Sequence, residues 1–327
     1  MRMCFALAKK GFGKVAPNPM VGCVVLDKDG NLISKGYHKK YGENHAERDA
    51  LLKLKNNEAE GGTLYVNLEP CSHFGKTPPC VDLIIKHKLK RVVIGMKDVN
   101  PKVDGITKLK NAGIEVDFVL EEEARFLNRM FIKTMTEKMP YVVLKTASTM
   151  DGKIASKTGS SKWITSETAR KEVYRMRKEF DCIMTSSNTV IADNPSMQHN
   201  FKCILDKDLR TPKDAKIYQQ GEIYIASKEN TPLKDKQLDI EAVLKNLYSK
   251  GIYSVFVECG GTLAGSMLKD NLIDEVYQFI APKILNDNNG LSCFNGADIK
   301  EISQAKNLKI YELKQIEKDI LIKAIVL

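Results

Sequence analysis

The chain is 327 residues long and carries 51 Lys and Arg against 41 Asp and Glu, a net charge of +10, with 43% hydrophobic residues. It exceeds a usual single domain and has enough apolar side chains for real cores, which excludes a disordered chain and agrees with two domains. Eight cysteines at irregular spacing, no secretory leader and no apolar run of bilayer length lead us to expect free thiols, no structural disulfides and a cytoplasmic protein.

Met1 to Lys10 has the pattern of a helix. No Ser, Thr, Asp or Asn stands ahead of it as a cap, and the sequence does not decide whether residues precede Met1. A hairpin follows, Met20 to Leu26 and Leu32 to Tyr37, turning at Asp29-Gly30-Asn31. A helix from Ala46 to Lys55 begins directly behind His45, and Thr63 to Asn67 is a strand. A cysteine-bearing loop then leads into a helix from Val81 to Lys88, opened by Pro78-Pro79. The strand Arg91 to Met96, a short helix near Thr107 to Asn111 and the strand Glu115 to Val119 come next. A helix from Glu121 to Thr136 closes this half, and Glu137 to Pro140 is the expected linker, dividing the chain into residues 1–138 and 139–327. The alternation predicts an α/β layer arrangement around one sheet. The densest basic group, Lys86-His87-Lys88-Leu89-Lys90-Arg91, falls at a helix end, where cations suit the dipole. No basic tail forms, so a phosphorylated small substrate accounts for the positive charge as well as nucleic acid does.

His45, Glu47, Cys71 and Cys80 supply the parts of a hydrolytic zinc site. A neutral histidine and two thiolates fill three corners of a tetrahedron and leave the fourth for water, whose pKa zinc brings to roughly 7. Glu47, two residues past the histidine and too close to be a spare ligand, is placed to take that proton and pass it on. His-x-Glu followed by Pro-Cys-x-x-Cys is the signature of zinc nucleobase deaminases. Here the second part is Pro70-Cys71-Ser72-His73-Phe74-Gly75-Lys76-Thr77-Pro78-Pro79-Cys80, with eight residues between the cysteines instead of two. The longer loop carries His73, Lys76 and Thr77, three polar groups suited to a polar or anionic substrate. Two plainer readings stand beside this one. The cysteines are small buried residues, or the zinc is structural with His73 as a fourth ligand.

Tyr141-Val142-Val143-Leu144-Lys145 restarts the alternating pattern, and no His-x-Glu or paired cysteines follow it. Three stretches stand out: Lys145-Thr146-Ala147-Ser148-Thr149-Met150-Asp151-Gly152-Lys153-Ile154-Ala155, Thr189-Val190-Ile191-Ala192-Asp193-Asn194-Pro195 and Val257-Glu258-Cys259-Gly260-Gly261-Thr262-Leu263-Ala264-Gly265-Ser266. The last follows an apolar strand, Ser254 to Val257, and opens a helix, where backbone amides reach a phosphate or simply make a tight turn. It is not Gly-x-Gly-x-x-Gly, so no Rossmann domain is inferred, and Gly75-Lys76-Thr77 is not a P-loop because Pro70 stands where the first glycine belongs.

Ala16-Pro17-Asn18-Pro19-Met20-Val21-Gly22-Cys23-Val24, Gly36-Tyr37-His38, the His-Ala-Glu and the long Pro-Cys loop stand in the order found in the bifunctional riboflavin-biosynthesis deaminase/reductases, which the chain resembles nearly end to end. The resemblance implies a cytidine-deaminase-like α/β/α domain followed by a dihydrofolate-reductase-like α/β domain, with Zn²⁺ and NADPH as cofactors. It implies that zinc is held by His45, Cys71 and Cys80, and that Asn18 and His38 line the pyrimidine pocket with Glu47. His73, Lys76 and Thr77 would contact the substrate and its phosphate. In the second half, Ala147, Trp163, Thr165, Thr189, Asp193, Ser227, Gly260, Gly261, Thr262, Leu263, Ala264, Gly265 and Ser266 would meet the nucleotide. Ser161, Arg177 and Met197 would face the substrate, with Lys145, Asp193 and Glu258 around the carbon that receives hydride. On the residues alone, Asn18 reads as a turn residue, Lys145 as a strand-end surface charge, Trp163 as a core anchor and Arg177 as a helix-face charge.

Three features depart from the pattern. Asn200 replaces an arginine, so one phosphate contact is expected to be lost or moved to Lys202. Asn286 replaces the glycine after a Pro-Lys-Ile-Leu strand and is expected to take a left-handed backbone. The second half is also shorter than is typical.

The partners implied are a phosphorylated pyrimidine and further copies of the chain, without nucleic acid or membrane. A deaminase acting on nucleic acid or a free nucleobase, with an inactive or repurposed second domain, and a non-enzymatic zinc module remain as other readings.

Overall fold

The computed structural model describes every residue of the chain except Asn56, Lys76 and Ala297. Two compact units divide it, Met1–Lys138 and Met139–Leu327.

In the first unit the elements are α1 (Arg2–Ala8), β1 (Gly22–Leu26), β2 (Leu32–Tyr37), α2 (Ala46–Leu51), β3 (Thr63–Val66), α3 (Cys80–Lys86), β4 (Arg91–Ile94), α4 (Gly105–Asn111), β5 (Glu115–Phe118), α5 (Glu121–Leu127) and α6 (Arg129–Glu137). The sheet order is β2-β1-β3-β4-β5. β1 runs antiparallel to β2 and β3, whereas β3, β4 and β5 are parallel. Successive side chains of a strand face opposite ways. Thus Cys23 and Val25 enter the main core with Ala50, Leu51, Leu64 and Ile84, while Val24 packs with Cys4 and Leu7 of α1. Helices therefore cover both faces, and β1 is buried along most of its length.

One expected helix is two. α5 and α6 are separated by Asn128, whose backbone leaves the helical region at φ −100° and ψ 18°. The buried Asn128 amide accepts from the Met20 N–H at 2.9 Å and donates to the Met20 carbonyl at 3.1 Å. Asn67, fully buried, adds bonds to the same segment, accepting from Gly22 N at 2.7 Å and donating to Met20 O at 2.8 Å. α2 is also shorter than its expected reach to Lys55, because the backbone tightens into three-residue turns from Ala50 to Lys53 and from Leu51 to Leu54.

The second unit contains β6 (Tyr141–Thr149), β7 (Lys153–Ala155), α7 (Glu167–Arg177), β8 (Cys182–Ser186), α8 (Ser187–Asp193), β9 (Phe201–Leu205), β10 (Glu222–Ala226), β11 (Leu233–Lys234), β12 (Gln237–Leu238), α9 (Ile240–Ser249), β13 (Ser254–Glu258), α10 (Gly261–Lys269), β14 (Glu275–Ala281), β15 (Leu291–Ser292), β16 (Leu308–Ile316) and β17 (Asp319–Val326). Its main sheet has the order β10-β9-β8-β13-β6-β14-β17-β16. Neighbours are parallel from β10 through β14, and β17 and β16 add an antiparallel edge. Ser166, Ser186 and Asp239 cap α7, α8 and α9 through side-chain bonds to the first-turn amides. The Pro282 to Leu285 run, expected as a strand, is irregular. β14 ends at Ala281, proline has no N–H for a ladder, and the Leu285 and Asn286 amides donate instead to the Asp151 carboxylate at 3.1 and 2.9 Å. Asn286 has the expected left-handed backbone, φ 52°.

No helix among the described residues is long and apolar enough to cross a membrane.

Candidate active sites

His45 stands at the N-cap of α2 and Cys80 is the first residue of α3, so two helix starts bring their ligands to one point. Cys71, in the loop after β3, completes the group. Its Sγ lies 3.4 Å from His45 Nδ1 and accepts from the Cys80 N–H at 3.3 Å, while Cys80 Sγ is 3.5 Å from the same Nδ1. Tetrahedral zinc, at about 2.3 Å from sulfur and about 2.0 Å from nitrogen, places N and S ligands about 3.6 Å apart. These three residues fit it. His73 is not in the cluster and lines the adjoining cavity instead, so the closed four-ligand reading is not what forms here.

Glu47, the second residue of α2, is 3% exposed. Burial, and then the neighbouring Cys71, push its carboxyl up to about 7. Hydrogen bonding with Cys80 and with His45 holds the Cys71 thiol well below its ordinary value, against the effect of burial.

A cavity of about 290 Å³ opens beside the cluster. Asn18, His38, His45, Glu47, Cys71, His73 and Thr77 line it; Lys76 lies outside the described residues. His38 is neutral in a defined tautomer. Its Nδ1 faces the Asn44 carbonyl at 3.0 Å and must donate, so Nε2 accepts from Asn18 Nδ2 at 3.0 Å. Burial lowers its pKa further. His73 Nδ1 and Thr77 Oγ1 are buried with no hydrogen-bond partner. Orphaned polar atoms in a cavity wall are costly unless a ligand meets them.

The cysteine loop is anchored from below. Ser72 Oγ accepts from Asp104 N at 2.7 Å, and Lys108 Nζ donates to the Ser72 carbonyl at 2.6 Å.

Sequence reasoning missed Tyr41, Glu43, Asp98, Asn100, Phe131 and Met135, which share this cavity. Asp98 and Asn100 follow β4, and the carboxyl ends of parallel strands are where ligands gather, a signal that was available. Burial, with Glu69 and Cys71 nearby, raises the Asp98 carboxyl to about 6. Phe131 and Met135 lie one turn apart on α6, and nothing local marks that face.

In the second unit Lys145 and Glu258 are register neighbours on β6 and β13. Arg177, the last residue of α7, grips Glu258 with Nε at 2.5 Å and Nη2 at 3.0 Å, and Lys145 Nζ approaches at 3.6 Å. Burial alone would raise the Glu258 carboxyl, but the two cations more than offset it and hold it below the ordinary range. Lys145 and Arg177 are thus inward charges, not surface ones. Trp163 is not a core anchor: it is 63% exposed and stacks under Arg170, whose guanidinium lies 4.2 Å from the ring centroid.

A cleft of about 1220 Å³ surrounds this ion cluster. Of the expected residues, Lys145, Ala147, Ser161, Trp163, Thr165, Arg177, Thr189, Asp193, Met197, Glu258, Gly260, Gly261, Thr262, Leu263 and Ser266 line it. Ser227, Ala264 and Gly265 do not. Ser227 is 2% exposed and its hydroxyl accepts from the Glu229 amide. Ala264 is buried in the core under α10, and a Cβ on Gly265 would stand 1.8 Å from the Asn295 carbonyl oxygen. Lys202 does not replace the arginine missing at Asn200. It is 1% exposed, and its amine donates to the Ile217 and Gln220 carbonyls, away from any ligand. Lys207, Asn188 and Arg210 also line the cleft, unmarked by any motif.

Residues 1–96 match the cytidine and deoxycytidylate deaminase zinc-binding region, and residues 140–322 match the RibD C-terminal domain. The riboflavin biosynthesis protein RibD of Aquifex aeolicus is 41% identical, over 98% of this chain and 96% of its own. That of Actinobacillus pleuropneumoniae is 38% identical, over 100% and 94%. Among solved structures, the diaminohydroxyphosphoribosylaminopyrimidine deaminase/5-amino-6-(5-phosphoribosylamino)uracil reductase of Thermotoga maritima superposes with a TM-score of 0.88 at 37% identity, covering 100% of this chain and 97% of that one. Acinetobacter baumannii RibD gives 0.87 at 36%, with the same coverage. With a zinc cluster in a deaminase fold, a reductase fold behind it and likeness along the whole length, the chain belongs to the RibD family of riboflavin-biosynthesis proteins, which join a zinc-dependent deaminase to an NADPH-dependent reductase.

Proposed function

We propose that residues 1–138 remove the exocyclic amine of 2,5-diamino-6-(5-phosphoribosylamino)pyrimidin-4-one by hydrolysis. Residues 139–327 then reduce the ribosyl group of the product, 5-amino-6-(5-phosphoribosylamino)uracil, to ribityl. The observation that carries this reading is the three-ligand cluster with a buried carboxylate beside it and an unmet polar wall opposite.

In the first step His45, Cys71 and Cys80 hold zinc, which when bound supplies water activated for attack near neutral pH. Glu47 carries protons to the departing ammonia. Asn18, held by the neutral His38, keeps its Oδ1 for the pyrimidine edge. His73 and Thr77, with Lys76, meet the substrate and its phosphate.

In the second step the cofactor supplies hydride. Lys145 and Glu258 stand at the reacting carbon with Asp193. As the sugar ring opens, the exocyclic N–H proton passes to the ring oxygen and leaves a C=N bond; hydride from the cofactor would then add to that carbon while Lys145 delivers one proton to the nitrogen. Ser161, Arg177 and Met197 hold the substrate. Gly260, Gly261, Thr262, Leu263 and Ser266, with the walls at Ala147, Trp163, Thr165 and Thr189, hold the nucleotide.

The protein works in the cytoplasm as a homo-oligomer and needs no nucleic acid. A nucleic-acid deaminase would leave the 1220 Å³ cleft of the second unit without a task.

The test follows ammonia release and NADPH oxidation together, on zinc-replete protein with the diaminopyrimidinone ribosyl phosphate. Both signals, ammonia leading, are expected. NADPH oxidation that precedes ammonia, or neither signal, would overturn the assignment.

A further inference from the structure

The cleft of the second unit holds a cation that the two-step reaction leaves unused. Arg210 sits in the turn after β9, and that turn is built around a buried acid. Asp206, 1% exposed, accepts from Arg210 N at 3.0 Å, from Thr211 N at 2.8 Å and from Thr211 Oγ1 at 2.7 Å. The Arg210 guanidinium is held in turn. Its Nη2 donates to Ser187 Oγ at 3.1 Å and to Asn188 Oδ1 at 2.7 Å, which leaves Nε and Nη1 for a ligand. All three side chains line the cleft. The acid beside them, Asp208, is already neutralised by Lys228 at 3.1 Å and Lys207 at 3.8 Å. The wall is therefore cationic where Arg210 stands.

Strand order fixes how far this cation lies from the chemistry. Lys145 and Glu258 are on neighbouring strands, β6 and β13; β8 and then β9 follow on one side. At about 4.8 Å between strands, the turn after β9 lies roughly 10 to 15 Å along the cleft from the reacting end. A dinucleotide with its nicotinamide at Lys145 and Glu258 and its diphosphate over Gly260 and Gly261 reaches that turn with its adenosine ribose.

We propose that Arg210, presented by Asp206 and steadied by Ser187 and Asn188, binds the 2′-phosphate of NADPH and sets the preference for NADPH over NADH. A planar guanidinium with two free donor positions suits a phosphate dianion, whereas a ribose hydroxyl offers it only one neutral acceptor. The inference rests on the NADPH reading of the cleft.

Direct binding to the full zinc-replete chain tests it, without turnover. The only tryptophan, Trp163, lines the same cleft, so its fluorescence reports occupancy. NADPH, NADH, 2′,5′-ADP and 5′-AMP are titrated into the wild-type chain, Arg210→Ala and Arg210→Lys. Losing a charge-assisted bond should raise the Kd of NADPH and of 2′,5′-ADP roughly tenfold or more in Arg210→Ala. NADH and 5′-AMP should stay within about twofold, Arg210→Lys should recover part of the loss, and the wild-type preference should shrink with added salt. Unchanged NADPH binding in Arg210→Ala, or equal losses for NADPH and NADH, would overturn the assignment while leaving the cleft a dinucleotide site. A wild-type chain that binds neither dinucleotide would overturn the NADPH reading itself.

Discussion

Glu47 and Arg177 show how differently two buried charged groups serve their sites. Glu47 is a carboxylate sealed beside the metal ligands, close enough to move a proton and placed so that it ligates nothing. Replacing it with glutamine keeps the volume and removes the proton carrier. We expect Glu47→Gln to retain one zinc per chain and to lower ammonia release about 10²- to 10⁴-fold, with NADPH oxidation on already deaminated substrate unchanged. Metal analysis beside the two rate assays decides it, and loss of zinc in the variant would mean that Glu47 builds the cluster. Arg177 shapes its site through Glu258, which is only 8% exposed and leans on its two-pronged grip. Arg177→Ala strands that carboxylate with Lys145 alone. Breaking a buried pair this way costs about 3 kcal/mol or more, which denaturant unfolding should register, together with a loss of reductase but not of deaminase activity.

At the scale of elements, the zinc ligands are as well placed as the helices that carry them. α2 packs on β2 at Gly36, where a Cβ would come within 2.5 Å of both the Ala46 carbonyl oxygen and the Ala50 nitrogen. Those are backbone atoms, so a methyl group moves the helix and with it His45 and Glu47. Gly36→Ala is expected to destabilise the first unit by about 1 to 3 kcal/mol and to depress ammonia release out of proportion to its effect on NADPH oxidation. Equal effects on both activities would count against this account. Asn67 and Asn128 do comparable work from the opposite side. Their amides tie the Met20–Gly22 backbone to a strand end and a helix junction, which steadies the segment from which Asn18 reaches His38.

For the whole molecule, each unit has its own sheet, its own core and its own cavity. Among the described residues the His45, Cys71 and Cys80 cluster lies in the first unit, and the Lys145, Arg177 and Glu258 cluster in the second. Zinc removal by a chelator should therefore abolish ammonia release, while the reductase step on deaminated substrate continues at its former rate. Zinc returned in equimolar amount should restore the first activity. Loss of both steps on chelation would show that the second site depends on the first.

The sequence by itself determined the chemistry of the metal site and the α/β class. His45, Glu47, Cys71 and Cys80 bear their reactivity in their side chains, and apolar periodicity is a local property of the chain. It also indicated which segments of the first unit alternate, and the strands expected there formed within a residue or two of their bounds, whereas most strands of the second unit were not foreseen. The tertiary structure decided what depends on distant segments meeting. A helix expected from Glu121 to Thr136 breaks because Asn128 bonds to Met20, more than a hundred residues earlier. Lys202 resembles a phosphate ligand in sequence, yet it lies inside the sheet with its amine bound to main-chain carbonyls. Arg210 has no motif, and only the packing of β9 beside β8 brings it to Ser187 and Asn188 at the cleft wall. Side-chain chemistry is carried by the residue, whereas orientation and burial are set by whichever segment folds against it.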